Sequence, residues 1–337
     1  MPLEIVRNDI TQMRVDAIVN AANERLAIGG GVCGAIFAAA GAEALAKACA
    51  EIGSCKTGGA VLTPGFALPA KHIIHAVGPV WQGGGAGEAE LLRACYQSAL
   101  ALAAERGFQS VAFPLISSGI YGFPKDVALS VATAQIGDFL LGHDMDVFLV
   151  VFDRAAYRLS ERLHRSISAY IDDRFVDLAA AIYTRRDDEY SQATRKLARW
   201  EEAMPLPCGA PTVSQSALEH ALKRAGESFT EMLLRLIDER GLNDPAVYQR
   251  ANIDRRLFSK IRSNPAYRPA KSTALAFAVA LRLNLDQTAD LLRRAGYALS
   301  PSSRADLIVE YFIRAGNYNI FEINEALFAF DESLLGG

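Results

Sequence analysis

The sequence contains no C-x-x-C pair, no long apolar run free of charges and turn signals, and no basic-then-apolar leader at its start. Each absence excludes something. The five cysteines (Cys33, Cys49, Cys55, Cys95 and Cys208) are odd in number, which argues against a disulfide framework and, without paired spacing, against the usual zinc sites. They read as buried thiols. A membrane-spanning helix needs about 18 or more consecutive apolar residues, and the opening residues MPLEIVRNDI lack the features of a secretory leader. The expectation is a soluble, cytoplasmic protein that does not engage a membrane. Two histidines, His72 and His75, alternate along an apolar run with no third ligand in view, so they are assigned structural roles, and neither a metal nor a cofactor is expected.

What is present divides the chain. Its 337 residues suffice for two or three cores, and half of them are apolar. Residues 1–170 carry 13 Lys plus Arg against 15 Asp plus Glu, about −2, whereas residues 223–300 carry 14 against 8, about +6. Only the second half is suited to an acidic partner. The first half alternates short β-branched runs (16–20, 60–65, 72–77, 110–116 and 146–152) with helical stretches at 32–52, 88–106, 124–142 and 154–170. That alternation predicts a mostly parallel sheet covered on both faces. After about residue 172 the strands stop. A charged helical stretch and the Pro-, Gly- and Ser-rich MPLPCGAPTVSQS (204–216) predict a linker over 173–225. A helical domain is predicted for 226–300 and a helical extension for 301–337.

The sequence NAANERLAIGGGVCGAIFAAAG (20–41) places a strand end, a loop, three glycines and a helix in succession. Backbone N–H groups at a helix N-terminus, approached closely through glycine, make an anion site suited to a diphosphate. Gly29, Gly31 and Gly34 also fit the letters of a dinucleotide-binding G-x-G-x-x-G, but about eight residues separate them from the strand, where that motif follows its strand directly.

Four blocks in order, RNDITQMRVDAIVNAANERLAIGGGVCGAIFAAAG, CKTGGAVLTPGFALPAKHIIHAVGP, PLISSGIYGFP and VFDRAAY, resemble a macrodomain of the branch that includes MacroD-type hydrolases and O-acetyl-ADP-ribose deacetylases. The resemblance covers residues 1–172. It implies an α/β three-layer fold with a mixed central sheet of six or seven strands, followed here by an all-α helical-bundle domain. ADP-ribose, free or on a modified protein, would lie at the sheet's crest. Asp9 would accept from the adenine amino group, with the Ile10 backbone beside it and Phe152 stacked on the base. Gly29, Gly30, Gly31, Val32 and Cys33 on one side, and Ser117, Ser118, Gly119, Ile120 and Tyr121 on the other, would grip the diphosphate and distal ribose. Asn23 would bind the ribose hydroxyls at the reacting end, and Asn20 would brace the loop.

Many MacroD-type enzymes carry Asp where this loop has Cys33, and often His where it has Phe37. The Asp is a candidate general base, so its replacement weakens one route to ester cleavage. A related route uses a water activated by the substrate's own phosphate. Cys33 as nucleophile is the minor alternative to a packing thiol. Two functions remain open: hydrolysis of ADP-ribosyl esters, on acidic side chains or as O-acetyl-ADP-ribose, and non-catalytic sensing of ADP-ribose.

Residues 229–295 resemble Cro/repressor-like helix-turn-helix domains, with ANID as the turn, a helix from about residue 254, and LNLD between the last two helices. The resemblance implies major-groove contacts by Arg255, Arg256, Ser259, Lys260 and Arg262, with Leu257, Phe258 and Ile261 in the core. A protein-docking role is the alternative. The apolar tail, with DLIVEYFI and FEINEALFAF, is expected to cover the bundle or form a homodimer contact.

Overall fold

A computed structural model describes residues 3–151, 163–177 and 227–336. Six strands, β1 (Leu3–Arg7), β2 (Ala17–Ala22), β3 (Ala60–Pro64), β4 (His72–Val77), β5 (Ser110–Pro114) and β6 (Asp146–Val151), form one sheet in the order β1-β6-β5-β2-β4-β3. All neighbours are parallel except β3 and β4, which run antiparallel. The mixed sheet between helices is the architecture expected from the four blocks. β1 was not among the predicted runs: LEIVR is a five-residue edge strand of modest length and carries two charges.

Side-chain alternation assigns the two faces. Ile18 and Ile73 enter a core beneath α1 (Gly31–Ala40) and α2 (Ala42–Ile52), while Val19 and Ile74, one residue on, enter the opposite core. That second core lies under α3 (Glu88–Glu105) and α4 (Lys125–Leu140). The stretch predicted at 32–52 is two helices, because Gly41 at φ 97° breaks it and turns the chain by 109°. No single helix among the described residues is long and apolar enough to cross a membrane.

A helix at 163–177, α5, precedes the undescribed stretch that holds most of the predicted linker and Cys208. Seven more helices follow: α6 (Phe229–Glu239), α7 (Asp244–Arg250), α8 (Arg255–Ser263), α9 (Lys271–Ala280), α10 (Leu285–Arg294), α11 (Arg304–Arg314) and α12 (Ile320–Ala329). Their starts are written in the sequence. Ser228 with Glu231, and Asn284 with Gln287, form capping boxes, while Asn243, Asp254, Ser303 and Asn319 cap through their side chains.

The helical region is not held by its linker alone. Phe321 of α12 lies against Gly137 in α4, and Glu325 meets the Thr133 hydroxyl in the same helix. Asn252, in the α7–α8 turn, accepts from the Leu3 N–H at 2.9 Å and donates to the Leu3 carbonyl at 2.9 Å, both buried. Residues of α6 to α12 therefore share a continuous apolar core with the α3–α4 side of the sheet. The tail predicted to cover the bundle does so, and α12 also packs on α4.

Candidate functional site

The carboxyl ends of β2, β4 and β5 open onto one crest, the usual place for a ligand in an α/β sheet. From β2 the chain runs through Asn23 and the glycines into α1. No side chain caps that helix at Gly30, so the N–H groups of its first turn are available to an anion. From β5 the chain enters a loop whose Ser117 is held at φ 64°, a left-handed conformation that non-glycine residues seldom adopt. Between these two loops lies a cleft of about 260 Å³.

The cleft is lined by Asn23, Gly29, Gly30, Gly31, Val32 and Cys33 on one wall and by Ser117, Gly119, Ile120 and Tyr121 on the other. The walls almost meet. Ile120 is 75% exposed, yet its Cδ1 would stand only 2.8 Å from a Cβ built on Gly30. At the floor, a Cβ on Gly78 would lie 2.2 Å from Ser117 Oγ, so only glycine fits there. Ser117 is 94% buried, and its hydroxyl has no hydrogen-bond partner. An unspent buried hydroxyl in a strained loop calls for a partner that arrives with a ligand.

The remaining expected residues fall differently. Asp9 caps the short turn Ile10–Gln12, its Oδ1 accepting from the Thr11 N–H and hydroxyl, and Ile10 is buried beneath it. Neither lines this cleft, and Ser118 is turned onto the Leu115 carbonyl. Phe152 lies outside the described residues. The Asn23 amide closes a ring with Ala27, donating to its carbonyl at 2.8 Å and accepting from its N–H at 3.1 Å. Asn23 thus braces its own loop while lining the cleft.

Asn20 sits deeper, with its amide nitrogen 3.1 Å from His75 Nδ1 and 3.6 Å from Cys33 Sγ. Burial pushes the His75 pKa down to about 4, so the ring is neutral near pH 7. With Nδ1 accepting from Asn20, Nε2–H is free to donate to Thr63 Oγ1 at 2.9 Å. His75 is a strut behind the loop. His72 stacks on Phe108. No group of three potential metal-ligating side chains occurs among the described residues. Residues missed at the sequence level include Gly78 and Ile116; the Gly-Pro after β4 was the available signal for the first.

In the helical region, Arg255, Arg256, Ser259, Lys260 and Arg262 form the exposed face of α8, while Phe258 and Ile261 are buried. Arg262 pairs with Asp244, and the Lys260 ammonium lies 5.7 Å from the Tyr267 ring. The first three residues of the turn before α8, Ala251, Asn252 and Ile253, are 0% exposed.

Residues 19–132 match the family model described as Macro domain. An O-acetyl-ADP-ribose deacetylase of Salmonella gallinarum is 50% identical over 167 residues, covering 48% of this chain and 93% of that protein. This chain belongs to the macrodomain family. A Macro domain-containing protein of Methanosarcina mazei is 50% identical over 154 residues, 45% of this chain and 82% of its own length. A solved Oceanobacillus iheyensis macrodomain with ADP shares 43% identity over 48% of this chain and 84% of that one, with a TM-score of 0.43. Within the macrodomain, the polar side chains that line the cleft are Asn23, Cys33, Ser117 and Tyr121. Among the described residues, no carboxylate or imidazole joins them.

Proposed function

We propose that the macrodomain binds ADP-ribose in this cleft and hydrolyses ADP-ribosyl esters, either of acidic side chains or of O-acetyl-ADP-ribose. The observation that carries the reading is the pairing of an uncapped helix N-terminus with the strained Ser117 loop, on a macrodomain that over 167 residues is 50% identical to a protein named as a deacetylase. The diphosphate would lie between the two walls on backbone N–H groups, and the distal ribose would reach Asn23. With no acid or imidazole among the described residues that line the cleft, a phosphate oxygen of the substrate is assigned as the base. It would take the proton of a water attacking the acyl carbon, and the ribose oxygen would leave carrying a proton. Cys33, 4% exposed behind the glycines, is read as a packing thiol.

Calorimetry on the full chain tests binding, and Gly30→Glu, which sets a carboxylate between the walls, should weaken it by about 100-fold. Release of ADP-ribose from a mono-ADP-ribosylated protein tests chemistry. Asn23→Ala should slow it by about tenfold or more, whereas Cys33→Ala should leave it within about twofold. The lack of an acid or imidazole among the described lining residues favours a second reading, a non-catalytic sensor. Binding without turnover of either ester would establish that reading.

We further propose that the helical region contacts DNA through α8, because its basic residues are exposed while its apolar ones are spent in the core. Each phosphate neutralised releases counterions, so affinity for a selected duplex should fall steeply with salt, and Arg255→Ala with Arg256→Ala should flatten that slope by about 2. A slope near zero would leave the region as a protein-docking module.

A further inference from the structure

A second cavity of about 510 Å³ opens beside the cleft, and Asn23, Gly78 and Tyr121 line both. Its other walls come from two loops that are fixed in place. On one side, the Glu24 carboxylate accepts from the Thr57 N–H at 3.1 Å and hydroxyl at 2.8 Å, which lowers the Glu24 pKa. On the other, the Glu88 carboxylate, 2% exposed, accepts from the N–H groups of Gln82, Gly84 and Ala86 at 3.0, 3.0 and 2.7 Å. Trp81 ties the same loop to the cleft, its N–H donating to the Tyr121 carbonyl at 2.9 Å and its ring lying 4.6 Å from that of Phe123. Both acids are thus engaged with backbone. Arg25, exposed on the cavity wall, has no acidic partner among the described residues.

We infer that this cavity receives the polypeptide that carries the ADP-ribosyl group, and that Arg25 selects acidic residues flanking the modified side chain. The inference rests on ADP-ribose occupying the cleft with its distal ribose at Asn23, because Asn23 and Gly78 line both spaces. Size and chemistry argue in the same direction. An acetyl group, with three heavy atoms beyond the ester oxygen, fills no more than a few water volumes of about 30 Å³ each. The space here is several times larger, and it offers Pro79, Val80 and Leu91 for aliphatic contact and Gln82 and Thr57 at its polar rim. Glu24 and Glu88 keep their charge, but their oxygens already accept from N–H and hydroxyl groups, so Arg25 is the charged group on the described wall that is left to meet a ligand's side chain.

The test compares affinities, so it does not depend on turnover. The probes are ADP-ribose and two peptides bearing a stable ADP-ribosyl linkage, one with acidic and one with basic flanks, each titrated into the full chain and into Arg25→Glu. The acidic peptide should bind the wild type about fivefold more tightly than ADP-ribose and than the basic peptide, the scale of one exposed ion pair. In Arg25→Glu the order of the two peptides should reverse, with ADP-ribose affinity unchanged within about twofold. Failure of the wild type to bind ADP-ribose would overturn the reading of the cleft on which this stands. ADP-ribose binding without any gain from either peptide would overturn the assignment of the second cavity alone. A peptide gain that ignores flank charge and Arg25 would overturn the role of Arg25.

Discussion

Buried polar groups are used in opposite ways at the crest of the sheet and at its junction with the helical region. At the junction, Asn252 gives both halves of its amide to Leu3, and Asn324 does the same for Leu335, donating to its carbonyl at 3.0 Å and accepting from its N–H at 2.7 Å. At the crest, the Ser117 hydroxyl and the Asn20 carbonyl oxygen have no partner. Paired amides at sequence separations of up to 249 residues fix one arrangement of the chain. Unpaired buried groups cost stability, and such a cost is recovered when a ligand supplies the partner.

The strongest way to break the contrast is at Asn252. Replacing it with Ala leaves the Leu3 N–H and carbonyl buried without partners and puts a β-carbon with no polar compensation at φ 53°. The expected loss is about 2–4 kcal/mol of unfolding free energy in urea. ADP-ribose affinity, measured where the variant is folded, should change little. A loss below about 0.5 kcal/mol would show that the β1 clamp is incidental.

A smaller effect concerns Glu325. Glu325 is buried against α4, where the Thr133 hydroxyl donates to its carboxyl. Burial outweighs the Thr133 hydrogen bond, which favours the charged form, and with the like charge of Glu322 raises the Glu325 pKa to about 7. The sign follows from that rise. Below pH 4.5, the usual value, the carboxyl is protonated in both folded and unfolded chains and costs nothing. Between pH 4.5 and about 7 only the unfolded chain gives up the proton, so stability falls with rising pH and then levels off. Glu325→Gln should remove that slope and add on the order of 2 kcal/mol at pH 8, with little change at pH 4. Equal pH profiles for variant and wild type would refute the raised pKa of Glu325.

The sequence made some of this legible and not the rest. Strand alternation and helix caps are local signals, so β2, β4, α6 and α10 could be placed from their own residues. The Gly41 break in α1–α2 was visible as a glycine, but not as a bend. The cleft walls were legible because both carry glycine-rich segments; the capping bond of Asp9 and the Asn23–Ala27 ring depend on geometry that residue order does not specify. Least legible was the junction. The Leu3–Asn252 and Thr133–Glu325 contacts join residues 249 and 192 positions apart, and neither has a local pattern to announce it.

The finest test sharpens the contrast at Ser117 itself. Deleting an unpaired buried hydroxyl removes its desolvation cost, so Ser117→Ala should hold or raise stability by up to about 1 kcal/mol, the reverse of Asn252→Ala. If the hydroxyl is kept for a ligand, the same variant should bind ADP-ribose about fivefold more weakly, the worth of one net hydrogen bond. The two readouts must be taken together. A structural serine would lower stability and spare affinity, whereas a hydroxyl reserved for the ligand spares stability and lowers affinity. Ser117→Gly supplies the control for backbone strain, because glycine adopts φ 64° without penalty. It should match Ala in affinity, and any further gain in stability over Ala measures the strain alone.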